Sequence, residues 1–339
     1  MNFRRLLPWF LWVAGFYAVW LSMVISRDLW QVLAGHWGIA VAMAAGSYVA
    51  GATPMGGGTV GFPILVLLFD QPATLGRDFS FAVQSIGMTS ASIFIILNRQ
   101  PVEWPMVRWA ILGTLVGTPL GILFVAPFVP ELYIKLLFAV VWASFGILHL
   151  FRLREFAQHN GLAPAAHRFD RTAGLAVGFF SGLTVAAITG VGIDMVLYCV
   201  LVLLCQADLK IAIPSSVIIM AVTSLVGIAT KNLLDDVQPG VFENWIAAAP
   251  IVIFGAPLGA FVVNRIGRAP TLFFVSLLCL GQFVWTLSTE WSRLGIPGIV
   301  ASLAAVGILL LGFQWLYNHG VRLDRRGLRR QSAPVCESA

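Results

Sequence analysis

Two short clusters of glycine, threonine and proline stand out because each interrupts a long apolar stretch. The first is Thr53-Pro54-Met55-Gly56-Gly57-Gly58-Thr59, inside residues 36–69. The second is Thr189-Gly190-Val191-Gly192-Ile193-Asp194, inside residues 172–206. Glycine and proline at this density unwind a helix. In lipid, unwound backbone survives only where it is buried in protein or lines a wet cavity. A helix that starts at such a break aims free N–H groups at the gap, glycines let a ligand approach closely, and Thr53, Thr59 and Thr189 can add hydroxyls. That chemistry suits an anion, held without formal positive charge. The competing reading is that the glycines only permit tight helix packing.

Polar positions follow each break at mid-span: Gln84, Ser85, Thr89 and Ser90 after the first, Ser215, Ser216, Thr223 and Ser224 after the second. Gln84 carries the most weight, because a primary amide is costly in hydrocarbon without a partner. Gln84, Ser85, Ser215 and Ser216 are candidates to face a substrate; interhelical hydrogen bonding is the alternative. Asp194 takes the slot that Gly58 holds in the first cluster. A carboxyl there can carry a coupling proton or cap the start of a half-helix. Lys231 ends an apolar span and is expected to snorkel to the surface. Arg77 and Asp78 precede another span and can pair locally.

Other chemistries find little support. His36, His149, His159, His167 and His319 fall at segment ends or in loops, and the four cysteines show no metal-binding spacing, so no metal or cofactor is expected. Gly178-Phe179-Phe180-Ser181-Gly182 faintly resembles a serine nucleophile turn, but no His or Asp base is spaced to serve it, and no catalytic residue is assigned. Cys336-Glu337-Ser338-Ala339 sits where a prenylation box would, without the aliphatic residues.

The elements that must position these residues are membrane helices. Hydrophobic residues make up 59% of the 339-residue chain and charged residues 11%, against about 25% charged in a soluble domain. The net charge of +6 comes from basic residues in short loops and at the C-terminal end. No basic stripe is interleaved with aromatics, so nucleic acid is not an expected partner. Spans of about 20 apolar residues fall at 6–25, 79–97, 107–129, 131–151, 212–231, 244–265, 269–288 and 295–317. Stretches 36–69 and 172–206 each read as a hairpin of two partial helices. The first span has no small-residue cleavage site and is read as uncleaved.

The two hairpin stretches are copies. Sliding the second back by 136 positions superposes Gly182 on Gly46, Thr189 on Thr53, Gly192 on Gly56, and Leu201-Val202-Leu203-Leu204 on Leu65-Val66-Leu67-Leu68. With small shifts, Gly117-Thr118-Pro119-Leu120-Gly121 matches Gly255-Ala256-Pro257-Leu258-Gly259. Arg4 and Arg5, the loop holding Arg152, Arg154, Arg168 and Arg171, and the tail holding Arg322 to Arg330 all fall on one side if each hairpin enters and leaves by the same face. That count makes the copies inverted. The expectation is an all-α polytopic protein with an N-terminal helix and loop (1–35), repeat 1 (36–151), a basic cytoplasmic loop (152–171), repeat 2 (172–288), a C-terminal helix (289–317) and a basic tail (318–339). Each repeat comprises a broken hairpin plus three transmembrane helices. Both termini are cytoplasmic and the protein sits in the cell's inner membrane. Inverted repeats support alternating access. A secondary carrier of a small anion is therefore the leading expectation, with an anion channel or, more remotely, an intramembrane enzyme as alternatives. A coupling ion, H+ or Na+, is compatible with this reading, and the oligomeric state is not legible.

The chain resembles the sulfite exporter TauE/SafE family, also called the toluene sulfonate uptake permease family. The resemblance rests on Gly56-Gly57-Gly58 with Pro63, followed by Ala82-Val83-Gln84-Ser85, and on Gly190-x-Gly192 followed by Ala212-Ile213-Pro214-Ser215-Ser216. It covers about residues 36–288. The second copy departs by carrying Asp194 and by placing Cys199 where the first has Pro63. The resemblance implies movement of sulfite, sulfonates or related organosulfur anions, driven by an ion gradient.

Overall fold

Proline and acidic residues mark where helices begin. Pro72 precedes the helix Ala73–Leu97, and Pro105 lies in the first turn of Trp104–Phe124, where its missing N–H costs no intrahelical bond. Asp208 caps Leu209–Leu233 by accepting from the Lys210 amide at 2.8 Å. Glu131, at the start of a third helix, takes the amides of Ala73 and Thr74 and so ties two helix starts together.

The computed structural model describes residues 3–156, 158–159, 161–162, 170–266 and 268–331. Arg168, His167 and Cys336 lie outside them, as do the side chains of Arg325, Arg326, Arg329 and Arg330. In chain order the elements are α1 (Phe3–Ser26), α2 (Trp30–Gly35), α3 (Trp37–Ala52), α4 (Gly58–Leu68), α5 (Ala73–Leu97), α6 (Trp104–Phe124) and α7 (Glu131–Phe156). They continue as α8 (Asp170–Thr189), α9 (Ile193–Leu204), α10 (Leu209–Leu233), α11 (Val241–Ile266), α12 (Arg268–Thr289) and α13 (Trp291–Gln331). Among the described residues nine helices are long and apolar enough to cross a membrane, so the chain is an all-α polytopic membrane protein.

Eight of these match the spans read from sequence. The ninth, α8, is the first arm of the second stretch, at 20 residues longer than the partial helix expected there but still ending at the Gly190–Gly192 break. Asp170 and Arg171 extend it beyond the apolar run. The first stretch does fold back on itself. Gly46 lies against Val60 and Gly38 against Phe69, so α3 and α4 run side by side in opposite directions.

The duplicated pattern recurs in element boundaries. Helices α5 and α10 both have 25 residues and start 136 positions apart. Both second arms end in a π-turn, closed by Phe69 N to Ile64 O at 3.0 Å and by Cys205 N to Val200 O at 3.1 Å. Packing exchanges the halves. Helix α11 lies on α3, α6 lies on α8, α5 packs on α10 and α7 on α12. Glycines bring the first two pairs to backbone contact. A methyl on Gly51 would meet the Ala256 carbonyl oxygen at 1.7 Å, and one on Gly117 would meet the Phe179 carbonyl oxygen at 2.2 Å. The two Gly-x-x-x-Gly pairs therefore hold each hairpin against the other copy.

Helices α5 and α10 form the buried centre, whereas α1 and α13 expose large apolar side chains such as Leu11, Val19, Ile296, Ile308 and Leu311 to the surroundings. In water that surface would be a liability; in lipid it is the solvated face. Helix α13 bends at Gly295, whose φ of +57° glycine adopts without strain, and continues through the basic tail to Gln331.

Candidate functional site

At the first break, Thr53 is extended and its hydroxyl donates back to the Val49 carbonyl at 2.8 Å. Thr59 accepts a bond from the Trp142 indole of α7 at 2.9 Å. At the second break, Gly190 and Gly192 have φ of +79° and +101°, a backbone shape that side-chain-bearing residues rarely adopt. Thr189 donates to the Val185 and Val191 carbonyls at 2.7 and 3.0 Å.

The two breaks meet. The Asp194 carboxyl reaches across from α9 and accepts from the Gly56 amide at 2.5 Å. Its other oxygen accepts from the Gly192 and Met195 amides at 3.2 and 3.0 Å. Asp194 thus fastens its own helix start and the opposite break together. Gly58 lies against Val191, close enough that a methyl would stand 2.3 Å from the valine.

Helix α5 runs along both breaks with Arg77, Ser80 and Gln84 on one face, a helical spacing. The Arg77 carbonyl abuts Gly190, and Ser80 touches Gly58 and Gly190. The Gln84 amide donates to the Ser80 carbonyl at 2.9 Å and to the Gly190 carbonyl at 3.2 Å. Its oxygen faces Gly56 and has no hydrogen-bond partner among the described residues. Gly57 and Gln84 border a cavity of about 10 Å³ with Met43, Ser47, Ala50 and Val252, room for about one water. The breaks are closed on each other in this conformation.

Gln84, Gly56, Gly58, Gly190, Gly192 and Asp194 are therefore brought together, with Gly57 beside them. Ser85 is not. It donates to Ala82 O at 2.7 Å and lines a separate cavity of about 240 Å³ with Asn232, Val241 and Trp245. Ser215 accepts from the Glu103 amide at 2.9 Å, and Ser216 bonds to the Ile213 carbonyl at 2.8 Å; these bonds point to α6 and to their own helix. The reason is register. Matching α5 to α10 end to end sets Met220, not a serine, opposite Gln84, and Ser216 opposite Ser80. The polar equipment is one-sided: Gln84 and Asp194 in one set of positions, Met220 and Gly58 in the other.

Three further corrections concern charge. Lys231 does not snorkel to the surface. It is 1% exposed and its ammonium lies 3.2 Å from the Asp78 carboxylate, with Asp236 as a second partner. Asp78 also takes the Arg77 guanidinium at 2.8 Å and the Gln238 amide at 3.1 Å. Ion pairing removes the reason to reach for water. Asp78, read from sequence as preceding a span, is as fully buried as Asp194. His149 lies within α7, buried, bonding the Phe145 carbonyl and the Tyr198 hydroxyl, each at 2.9 Å. Sequence reasoning missed Ser80 and Trp142. Ser80, spaced four residues before Gln84, carried the one usable signal.

Comparison with known proteins bears on this arrangement. No curated protein and no solved structure matches the chain. A family model described as sulfite exporter TauE/SafE matches residues 38–284, a segment that holds both breaks and all of the residues gathered there. That family implies a multi-pass membrane transporter of sulfite or related anions. With most of its length covered by the match, the chain belongs to the sulfite exporter TauE/SafE family.

Proposed function

We propose that the chain is a secondary carrier that moves a small anion, sulfite, a sulfonate or a related organosulfur or organic anion, by alternating access. The two repeats are inverted in this reading. The protein sits in the inner membrane with both termini cytoplasmic and does no enzymatic chemistry. The anion binds where the breaks meet, on Thr53, Gly56, Gly57, Gly58, Thr59 and Gln84 from one half and Thr189, Gly190 and Gly192 from the other. Ser85, Ser215 and Ser216 stand back from that point, Ser85 on a separate cavity and the other two buried. A coupling ion, H+ or Na+, drives the cycle.

One observation carries this reading. Two glycine-rich breaks from opposite halves meet in the buried interior, and one of their amides, Gly56 N, already holds a carboxyl oxygen. An amide that binds a carboxyl oxygen has the geometry to bind an oxygen of an oxyanion. The cavity beside Gly57 and Gln84 admits only about one water, so a polyatomic anion enters only if the elements around the first break part. That requirement favours a carrier over an open pore.

Reconstituted protein tests it. Flux of sulfite, a sulfonate or a carboxylate should saturate and be accelerated by counterflow, and Gly57→Leu should abolish it while membrane insertion persists. A linear current that follows voltage would replace the carrier with a channel, and normal flux through Gly57→Leu would remove the site from the breaks.

A further inference from the structure

The orientation of the Gln84 amide is set by its surroundings. Its nitrogen faces two backbone carbonyls, Ser80 O and Gly190 O, which can only accept. The amide oxygen must therefore face the other way. There it borders Gly56, as does the Asp194 carboxyl: a methyl built on Gly56 would stand 1.7 Å from Gln84 Oε1 and 3.2 Å from Asp194 Oδ2. Flipping the amide would set its oxygen against both carbonyls. Two acceptor oxygens thus border the same glycine, and among the described residues none donates to the amide one. Gln84 is 1% exposed, and Oε1 shows less than 1 Å² of surface, so bulk water does not supply the hydrogen.

Two donors beside the amide oxygen are already engaged. The Gly56 amide goes to Asp194 and the Ser80 hydroxyl to the Gly76 carbonyl at 2.7 Å. A metal cation is a poor fit, since hard cations gather a shell of oxygens, whereas three amide hydrogens point at the Asp194 carboxyl. Among the described residues no cation pairs with it. Titratable and charged groups on the surrounding elements have other partners. Arg77 and Asp78 on α5 pair with each other, and Asp78 with Lys231 of α10. Tyr198, one turn along α9, pairs with His149 of α7. The first break and Trp142 of α7 bring no charge.

We propose that Asp194 is protonated in this conformation and donates its hydrogen to Gln84 Oε1, so that the pair is a proton-binding site linking the two breaks. Loaded, the carboxyl satisfies the amide oxygen while accepting from Gly56, and the breaks stay closed. Once the proton leaves, carboxylate oxygen faces amide oxygen with nothing between, which favours separation of the hairpins. The proposal rests on the carrier reading for its use but not for its detection, and it selects H+ over Na+ as the coupling ion.

Infrared difference spectroscopy on the full-length protein in lipid tests it, with and without carboxyl-labelled aspartate and in H2O against D2O. The expected result at neutral pH, without sodium, is a protonated-carboxyl C=O band that shifts with the aspartate label. It should vanish in Asp194→Asn, move in Gln84→Leu, and titrate away as pH rises. Absence of a label-sensitive band in the wild type at neutral pH overturns the proposal whether or not either variant folds. So does a band that Gln84→Leu leaves in place. In proteoliposomes a proton gradient should accelerate sulfite flux in the wild type but not in Asp194→Asn. A band that behaves as expected, without flux of any anion tested, would leave the proton site standing and overturn the carrier reading instead.

Discussion

Replacing Gly56 with alanine perturbs one defined contact. The added methyl would stand 1.7 Å from Gln84 Oε1, so the amide must retreat by about 1.7 Å to reach ordinary contact. The end of a glutamine moves easily for steric reasons, but this one is tethered through its nitrogen. A shift of that size breaks the longer bond, Nε2 to Gly190 O at 3.2 Å, and leaves a buried carbonyl unpaired. That costs roughly 1–3 kcal/mol, or about 5–150-fold in the equilibrium that closes the breaks. Gly57→Ala supplies the comparison, because its closest contact is the flexible Met43 Cε at 3.3 Å, with Ala50 Cβ and Gln84 Cγ at ordinary distances of 3.7 and 3.9 Å, and it should change the rate by no more than about twofold. Gly51→Ala fails differently. Its methyl meets the Ala256 backbone oxygen at 1.7 Å, so α3 and α11 must separate and folded protein is lost. Initial rates of sulfite flux per folded molecule, paired with thermal unfolding in detergent, separate the three. Equal rates for Gly56→Ala and Gly57→Ala would show that the Gln84 amide is not anchored as described.

Two further outcomes follow from the charge cluster and the side cavity. Lys231→Met removes a buried partner of Asp78, and breaking such a pair costs about 3–5 kcal/mol, toward the lower end here because Arg77 remains; adding Asp78→Asn should recover part of the loss, and an unfolding midpoint unmoved by Lys231→Met would contradict the pairing. Ser85→Cys, with Cys336→Ser to remove the remaining thiol outside the described residues, should react with a small polar maleimide through the cavity of about 240 Å³, whereas Ser216→Cys, fully buried, should not; equal labelling would place both serines on the same aqueous path.

Much of the helical framework was legible because lipid imposes a length and a polarity on every span. The two breaks were legible because glycine and proline are scarce inside such spans. Partners across the fold were not. Asp194 bonds Gly56 from 138 positions away, and nothing near either residue encodes that distance. The same blindness misplaced Lys231, since a lysine at a span end reads as surface-seeking until Asp78, far along the chain, is seen beside it. Ser215 and Ser216 were paired with Gln84 and Ser85 by motif similarity, but equal helix lengths place that comparison in a different register. Ser85 shows the angular limit of the method: one residue from Gln84, it turns about a quarter of the way round the helix and meets a different cavity.

The exchange of partners between halves determines what can move as a unit. Where glycine brings main chain against main chain, as between α3 and α11 or between α6 and α8, no long side chains remain to swing and absorb sliding. Each of these pairs should travel as one stiff block assembled from distant parts of the gene product. A cut between the repeats in sequence would pass through both blocks. The hinges are then to be sought in the connections that lead from one block to the other, such as residues 98–103 and 234–240, rather than in the long basic loop that divides the chain.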